Sequence, residues 1–202
     1  MNRTLSKAEK TKQFIIESTA WIFNTKGYSG TSMADLTEAT QLTKGSIYGN
    51  FENKEEVALA AFDYNLSKMK AASAVRREKV TSYFDKLMVY VQVYHSFMGE
   101  TFPVGGCPIL NTAIEADDTH RPLKGKAAAA INEWKNTIVN LINDGVQAGE
   151  FNAGTDADQL ALSIIALIEG GIMIAKVTDD QTNLDNILKT VEMLILQIKS
   201  AG

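Results

Sequence analysis

Thr31-Ser32-Met33-Ala34-Asp35-Leu36-Thr37-Glu38-Ala39-Thr40 is followed at once by Gln41-Leu42 and then by Thr43-Lys44-Gly45-Ser46-Ile47-Tyr48-Gly49-Asn50. Each half reads as a short capped helix. Thr31 or Ser32 can accept from the first-turn amides of a helix running from Met33 to about Thr40. Asp35, three residues after Ser32, completes a capping box with aspartate in the acidic position. Met33, Leu36 and Ala39 share the inward face. Thr43 can cap a second helix, from Lys44 to about Asn50. Two short helices joined by about four residues have the layout of a helix-turn-helix.

Helical periodicity continues on both sides. Ser6 to Lys26 places Phe14, Ile15, Ile16, Thr19, Ile22 and Phe23 on one side, and Gly27 ends that helix. Asn53 with Glu56 looks like the cap of a long helix reaching about Lys79, into which the second short helix is expected to run directly. Further helices are expected over 80–99, 108–116, 123–148, 156–177 and 184–199. Breaks fall at Pro103-Val-Gly-Gly-Cys-Pro108, at Asp117 to Pro122, at Gly149 and at Thr178 to Gln181. No stretch alternates apolar and polar residues between tight turns. An all-α chain is therefore expected, with a three-helix head over 1–54 and a helical bundle over 55–202.

Composition narrows the chemistry. The 202 residues include one cysteine, two histidines and three prolines. One cysteine excludes an intrachain disulfide scaffold and any multi-cysteine zinc or iron–sulfur site built by one chain. His95 and His120 are too few for a histidine-rich centre, so neither metal nor cofactor is expected. Charge is uneven: residues 1–54 hold seven basic and five acidic side chains, the remainder thirteen and nineteen. A mildly basic head on an acidic body suits an anionic partner at the head. The N-terminus is polar and lacks the apolar core of a secretory signal. The longest apolar stretch, Leu160 to Ala175, contains Glu169 and is shorter than the ~20 residues of a spanning helix. It reads as a buried helix, and a cytoplasmic protein without a membrane partner is expected.

The residues from Thr11 to Phe62 resemble the DNA-binding head of the TetR family of bacterial transcriptional repressors. The likeness is carried by Ile15-Ile16, Ile22-Phe23, Gly27-Tyr28, Thr31-Ser32-Met33, Asp35-Leu36, Thr43-Lys44-Gly45-Ser46-Ile47-Tyr48, Phe51 and Asn53-Lys54-Glu55, in order and at the family's spacing. The resemblance implies that the helix after Thr43 enters the major groove of operator DNA. It places Thr43, Lys44, Gly45, Ser46, Tyr48, Gly49, Asn50, Lys54 and Thr31 at bases or phosphates. The residue chemistry agrees. A capped helix start with Lys44 attracts phosphate oxygens, Gly45 permits close approach, and Ser46 and Tyr48 offer hydroxyls. Ile47 and Phe51 are expected to face the head's own core. Two positions depart from the family pattern. Gln41 stands where glycine is usual, so a non-glycine residue must hold the turn, with a positive φ at some strain. Gly49-Asn50 replaces an aromatic and a histidine, and Asn50 can either read adenine or cap its own helix. The arm from Arg3 to Lys12 carries four cations and can reach further phosphates.

Across the body the resemblance implies a ligand-binding and dimerisation bundle, a homodimer, and a cavity for a small effector. A four-helix seam between two copies is expected from Leu160, Ile164, Ile168, Ile172, Leu184, Leu188, Val191 and Ile195, with Gly170-Gly171 permitting close approach. The pocket is expected to be lined by Tyr90, Tyr94, Phe97, Met98, Phe102, Cys107, Trp134, Ile138 and Met173, which suits a lipophilic or aromatic effector. An enzyme is not expected: the chain lacks a Walker loop, Gly-x-Ser-x-Gly, His-Glu-x-x-His and Glu-x-x-His. The reading is thus a ligand-released repressor on a near-palindromic operator. The alternative is a helical interaction protein with degenerate DNA binding.

Overall fold

The computed structural model describes residues 5–96 and 102–200, so Phe97 and Met98 of the expected pocket lie outside the described residues. The described chain forms α1 (Lys7–Gly30), α2 (Met33–Thr40), α3 (Lys44–Tyr48), α4 (Lys54–Arg77), α5 (Tyr83–Tyr94), α6 (Pro108–Ala116), α7 (Arg121–Gln147), α8 (Ala157–Thr178) and α9 (Gln181–Gln197). Among the described residues the β structure is one isolated antiparallel bridge, between Phe151 and Lys199.

Side-chain caps set most of the starts. Ser6 with Glu9 and Ser32 with Asp35 form reciprocal capping boxes, so Ser32 and not Thr31 caps α2. Thr43, Ser82, Asp156 and Asp180 each accept from an amide in the first turn of the following helix. Capped by Asp180, α9 starts at Gln181, three residues before the expected Leu184; capped by Ser82, α5 starts at Tyr83, three residues after the expected Val80. Asn53 accepts from the Glu56 amide at 2.9 Å, the expected cap of α4.

The second short helix does not run on into the long one. It stops at Tyr48, and Gly49 to Asn53 separate it from α4. The amides of Asn50 and Phe51 both turn back onto the Ile47 carbonyl, which closes α3.

Packing divides the chain into two compact units, and not at the expected cut after Lys54. One comprises residues up to Lys68 with Pro103–Ala128; the other comprises Met69–Phe102 and the residues from Ala129 onward. α4 and α7 contribute to both. In the first unit, Ile15, Leu36, Ile47, Phe51 and Val57 form the core, with Ile16, Phe23, Met33 and Leu42 packed on it. α1 packs on α2 and also on α6. Ile47 and Phe51 thus take the core places expected of them.

In the second unit α9 packs on α8 and α5. Here the structure corrects the expected seam between copies. Leu160, Ile164, Ile168, Ile172, Leu184, Leu188, Val191 and Ile195 are all buried within one chain. They hold α8 and α9 inside their own protomer and are not available to a partner. Gly171 serves that internal contact: a Cβ there would lie 2.7 Å from Leu184 Cδ1, whereas Gly170 faces open space. The exposed apolar residues are others, namely Leu162, Met173, Ile174, Val177, Met193 and Leu196. α8 therefore carries apolar residues on two faces. This makes it, among the described residues, the one helix long and apolar enough to cross a bilayer by length and composition.

Because Ile168 is fully buried, Ile168→Ala is expected to lower the unfolding free energy by about 2–5 kcal/mol. Denaturant unfolding followed by circular dichroism measures this.

Candidate nucleic-acid interface

α3 presents one face inward and one outward. Ile47 is fully buried, while Thr43, Lys44, Gly45, Tyr48 and Gly49 are exposed and Ser46 is half-buried. The Thr43 hydroxyl accepts from the Ser46 amide at 3.1 Å, which fixes the helix start. The Lys44 ammonium lies 5.7 Å from the centre of the Tyr48 ring, so charge and phenol form one patch. Tyr48 is 37% exposed, a high figure for an aromatic residue whose neighbour Ile47 is core. Gly45 and Gly49 adopt ordinary φ values, and a Cβ on either would meet nothing closer than 3.4 Å. The fold does not need glycine at these two positions. Their effect is to keep the outward surface of α3 low.

The turn before α3 is held by Gln41 in the left-handed region, with φ 54° and ψ 23°. This is the positive φ expected at that position. Its side-chain amide donates to the Glu38 carbonyl at 2.6 Å, satisfying a carbonyl at the end of α2. That bond offsets part of the cost of a side chain at positive φ.

Three residues expected at DNA are placed differently. Thr31 is buried, and its hydroxyl donates to the Gly27 carbonyl at 2.6 Å. The Asn50 side chain donates to the Ser46 carbonyl at 2.9 Å, the capping role. The Lys54 ammonium donates to the carbonyls of Tyr28 (2.8 Å) and Thr31 (2.9 Å) and lies 4.2 Å from the centre of the Tyr28 ring. Lys54 therefore ties the start of α4 to the end of α1. In the arm, Arg3 lies outside the described residues. Lys12 pairs with Glu56 at 2.8 Å and covers the Phe51 ring, while Lys7 and Lys10 are exposed.

The expected pocket residues separate. Tyr90, Tyr94, Phe102 and Trp134 come together: Tyr94 stacks on Trp134 at 5.9 Å between ring centres, Phe102 lies 5.6 Å from Tyr94, and Tyr90 lies 6.3 Å from Trp134. Ile138 is buried in the same unit. Met173 is exposed on α8, and Cys107 is buried in the other unit, at the start of α6. Sequence reading missed Arg77, whose guanidinium covers the Tyr90 ring and donates to its hydroxyl. A cation thirteen residues away, on another helix, leaves no mark on the spacing. Burial raises the Tyr90 phenol above its ordinary value, and Arg77 opposes that shift. The indole Nε1 of Trp134 is buried and has no hydrogen-bond partner among the described residues.

The two histidines have structural partners. His120 Nδ1 accepts from the Leu123 amide at 3.3 Å and caps α7, and its Nε2 meets Glu55 at 3.1 Å. His95 meets Asp185 at 2.8 Å.

Residues 15–61 match the family of bacterial regulatory proteins named for TetR, and residues 84–191 match the Tetracyclin repressor-like C-terminal domain. The chain belongs to the TetR family of transcriptional regulators, and its helix-turn-helix is a DNA-binding one. It is 51% identical to a TetR-family regulator from Cytophaga hutchinsonii, with a TM-score of 0.95, over 99% of this chain and 100% of that one. Among curated relatives it is 26% identical to the HTH-type transcriptional repressor DhaR of Mycobacterium sp. (strain GP1), over 89% of each chain. The fold is also that of CifR, solved as a cysteine mutant with a 26-bp double-strand operator DNA, at TM-score 0.77 and 20% identity over 96% of this chain and 98% of that one.

Asp35 gives the head a pH dependence. The Lys26 ammonium at 2.6 Å, then the amide and hydroxyl of Ser32, hold its carboxyl well below the usual carboxylate range. A depressed carboxylate stabilises the folded state above its unfolded pKa of about 4 and loses that contribution as pH falls. Wild type is expected to lose melting temperature between about pH 5 and about pH 3, and Asp35→Asn to lose less over the same window. Scanning calorimetry of both proteins checks this.

Proposed function

We propose that this protein is a repressor that binds a near-palindromic operator as a homodimer and is released by a small-molecule effector. The carrying observation is the outward face of α3. Thr43, Lys44, Ser46 and Tyr48 surround two glycines that the backbone does not require, on a helix anchored by buried Ile47. Hydroxyls and an ammonium suit phosphate contact, and a low surface suits close approach to base edges. Gly45, Gly49 and Thr43 are part of the same patch. Thr31, Asn50 and Lys54 support it from behind. The CifR complex, an operator complex of the same fold, favours this reading. As a regulator of DNA the protein acts in the bacterial cytoplasm, without enzymatic turnover.

The homodimer is proposed through the exposed stripe of α8. Leu162, Met173 and Val177 are 50%, 46% and 79% exposed. Their spacings of eleven and four residues place them on one helix face. Large exposed apolar residues on one helix face suit a partner surface. Dimerisation spaces two copies of α3 along DNA by about one helical turn, ~34–36 Å, or a multiple of it. Met173→Glu with Val177→Glu is expected to convert the dimer to monomer at micromolar concentration, with helical content unchanged. Light scattering with circular dichroism measures both.

The effector is proposed to meet the aromatic group of Tyr90, Tyr94, Phe102 and Trp134. Stacked rings suit an aromatic or lipophilic molecule, and the buried Trp134 N–H, without a partner among the described residues, suits an acceptor on it. α4 begins at the head's Lys54 and ends at Arg77 on Tyr90, one continuous helix through which occupancy can bias the head.

The decisive experiment is selection of the purified protein on a randomised DNA duplex pool, with Tyr48→Ala in parallel. An enriched palindrome that disappears in the mutant is expected. A pool left without enrichment, with no small molecule released from the denatured protein, favours the degenerate interaction protein instead.

A further inference from the structure

We propose that Glu115 is a positioning residue for DNA recognition. From α6 it holds the break in α1 at the geometry that presents α2 and α3 as a reading unit. This rests on the DNA-binding reading above. At Gly27 the backbone leaves the helix, with φ 73° and ψ 177°. Both oxygens of Glu115 meet the amides that follow the break: Oε2 accepts from Tyr28 N and Oε1 from Ser29 N, each at 2.8 Å. A carboxylate accepting from two successive main-chain donors is a strong, directional clamp. Any Cβ at residue 27 would lie 2.4 Å from Oε2. Glycine is thus needed there twice, for its φ and for the approach of the carboxylate.

The other side of the connector is held by Lys54 on the carbonyls of Tyr28 and Thr31. Residues 28–31 are therefore gripped by an anion at their amides and a cation at their carbonyls. The segment carrying Glu115 is itself tied to α1. The Asn24 side chain donates to the carbonyls of Val104 and Gly106, at 2.8 and 2.9 Å. The Asn111 side chain donates to the carbonyls of Asn24 and Gly105, at 3.0 and 2.9 Å. Gly105, at φ 95°, lies so near the Asn24 carbonyl that a Cβ would be 2.8 Å from its oxygen. All these residues belong to one compact unit. Beyond the connector, the Ser32 capping box and the Gln41 turn set the course of the chain to α3. The direction in which it leaves Gly27 therefore sets the direction of α3, and Glu115 fixes that direction.

The test uses the full-length protein, the duplex enriched from the random pool, and a random-sequence duplex of equal length. In E115Q one acceptor becomes an NH2 group facing a main-chain N–H. Expected is a loss on the order of tenfold on the enriched duplex, the equivalent of about one charged hydrogen bond. Affinity for the random duplex is expected to stay within about twofold, since phosphate contacts are untouched. G27A is expected to weaken operator binding. Adding E115A to G27A removes the clash and is expected to cost less than the sum of the two. E115Q binding the enriched duplex like wild type overturns the proposal. So does an equal loss on both duplexes, which marks general loss of structure. Should E115Q not fold, E115D takes its place, and wild-type discrimination by E115D overturns the proposal. Failure of the wild type to enrich any sequence removes the DNA-binding reading and this proposal with it.

Discussion

A helix that must end where another element begins leaves main-chain donors and acceptors without partners, and the break at Gly27 is where this chain meets that constraint. The amides beyond the break find the Glu115 carboxylate, and the carbonyls find the Lys54 ammonium. Three of these bonds are half-buried and each involves a charged partner, which makes them stronger than neutral hydrogen bonds. The arrangement joins three helices, α1, α4 and α6, at one short connector. α2 and α3 hang from it.

α3 has five residues and is too short to persist alone. It depends on one buried side chain, Ile47, on the neighbouring Phe51, and on its Thr43 cap. With its inner face committed to the core and its ends closed by Thr43 and by Asn50, its remaining groups are left for solvent or a partner. Rigidity from behind and openness in front come from the same packing. The residues that support the reader, Lys54, Thr31 and Asn50, are polar, and in a linear pattern they resemble members of it.

In the second unit the same ambiguity has the opposite sign. α8 is apolar on two faces, and one of them meets α9 of its own chain. The buried series from Leu160 to Ile172 interlocks with Leu184 to Ile195, helped by the missing side chain at Gly171. The face with Leu162, Met173 and Val177 remains exposed. The aromatic group around Trp134 gathers residues from α5, α7 and the segment at Phe102. Arg77 from α4 lies on Tyr90 at its edge.

Local chemistry was legible in the sequence because it acts over three or four residues. The caps at Ser32, Thr43 and Asn53, the all-helical course, the positive φ of Gln41 and the inward Ile47 and Phe51 all follow from short-range hydrogen bonding and helical period. The helix starts after Asp180 and Ser82 slipped by three residues, since several polar residues nearby can cap. What the tertiary structure decided was the identity of partners across long separations. Period identifies an apolar face but not whether it meets the same chain or another, so the expected seam on α8 and α9 became internal core. Residue type marks Lys54 and Thr31 as able to hold a phosphate, but packing turned one toward carbonyls and buried the other. The pairing of Gly27 with Glu115, nearly ninety residues apart, has no local signature at all. It exists because α6 folds back against α1, and folding alone brings a carboxylate to two waiting amides.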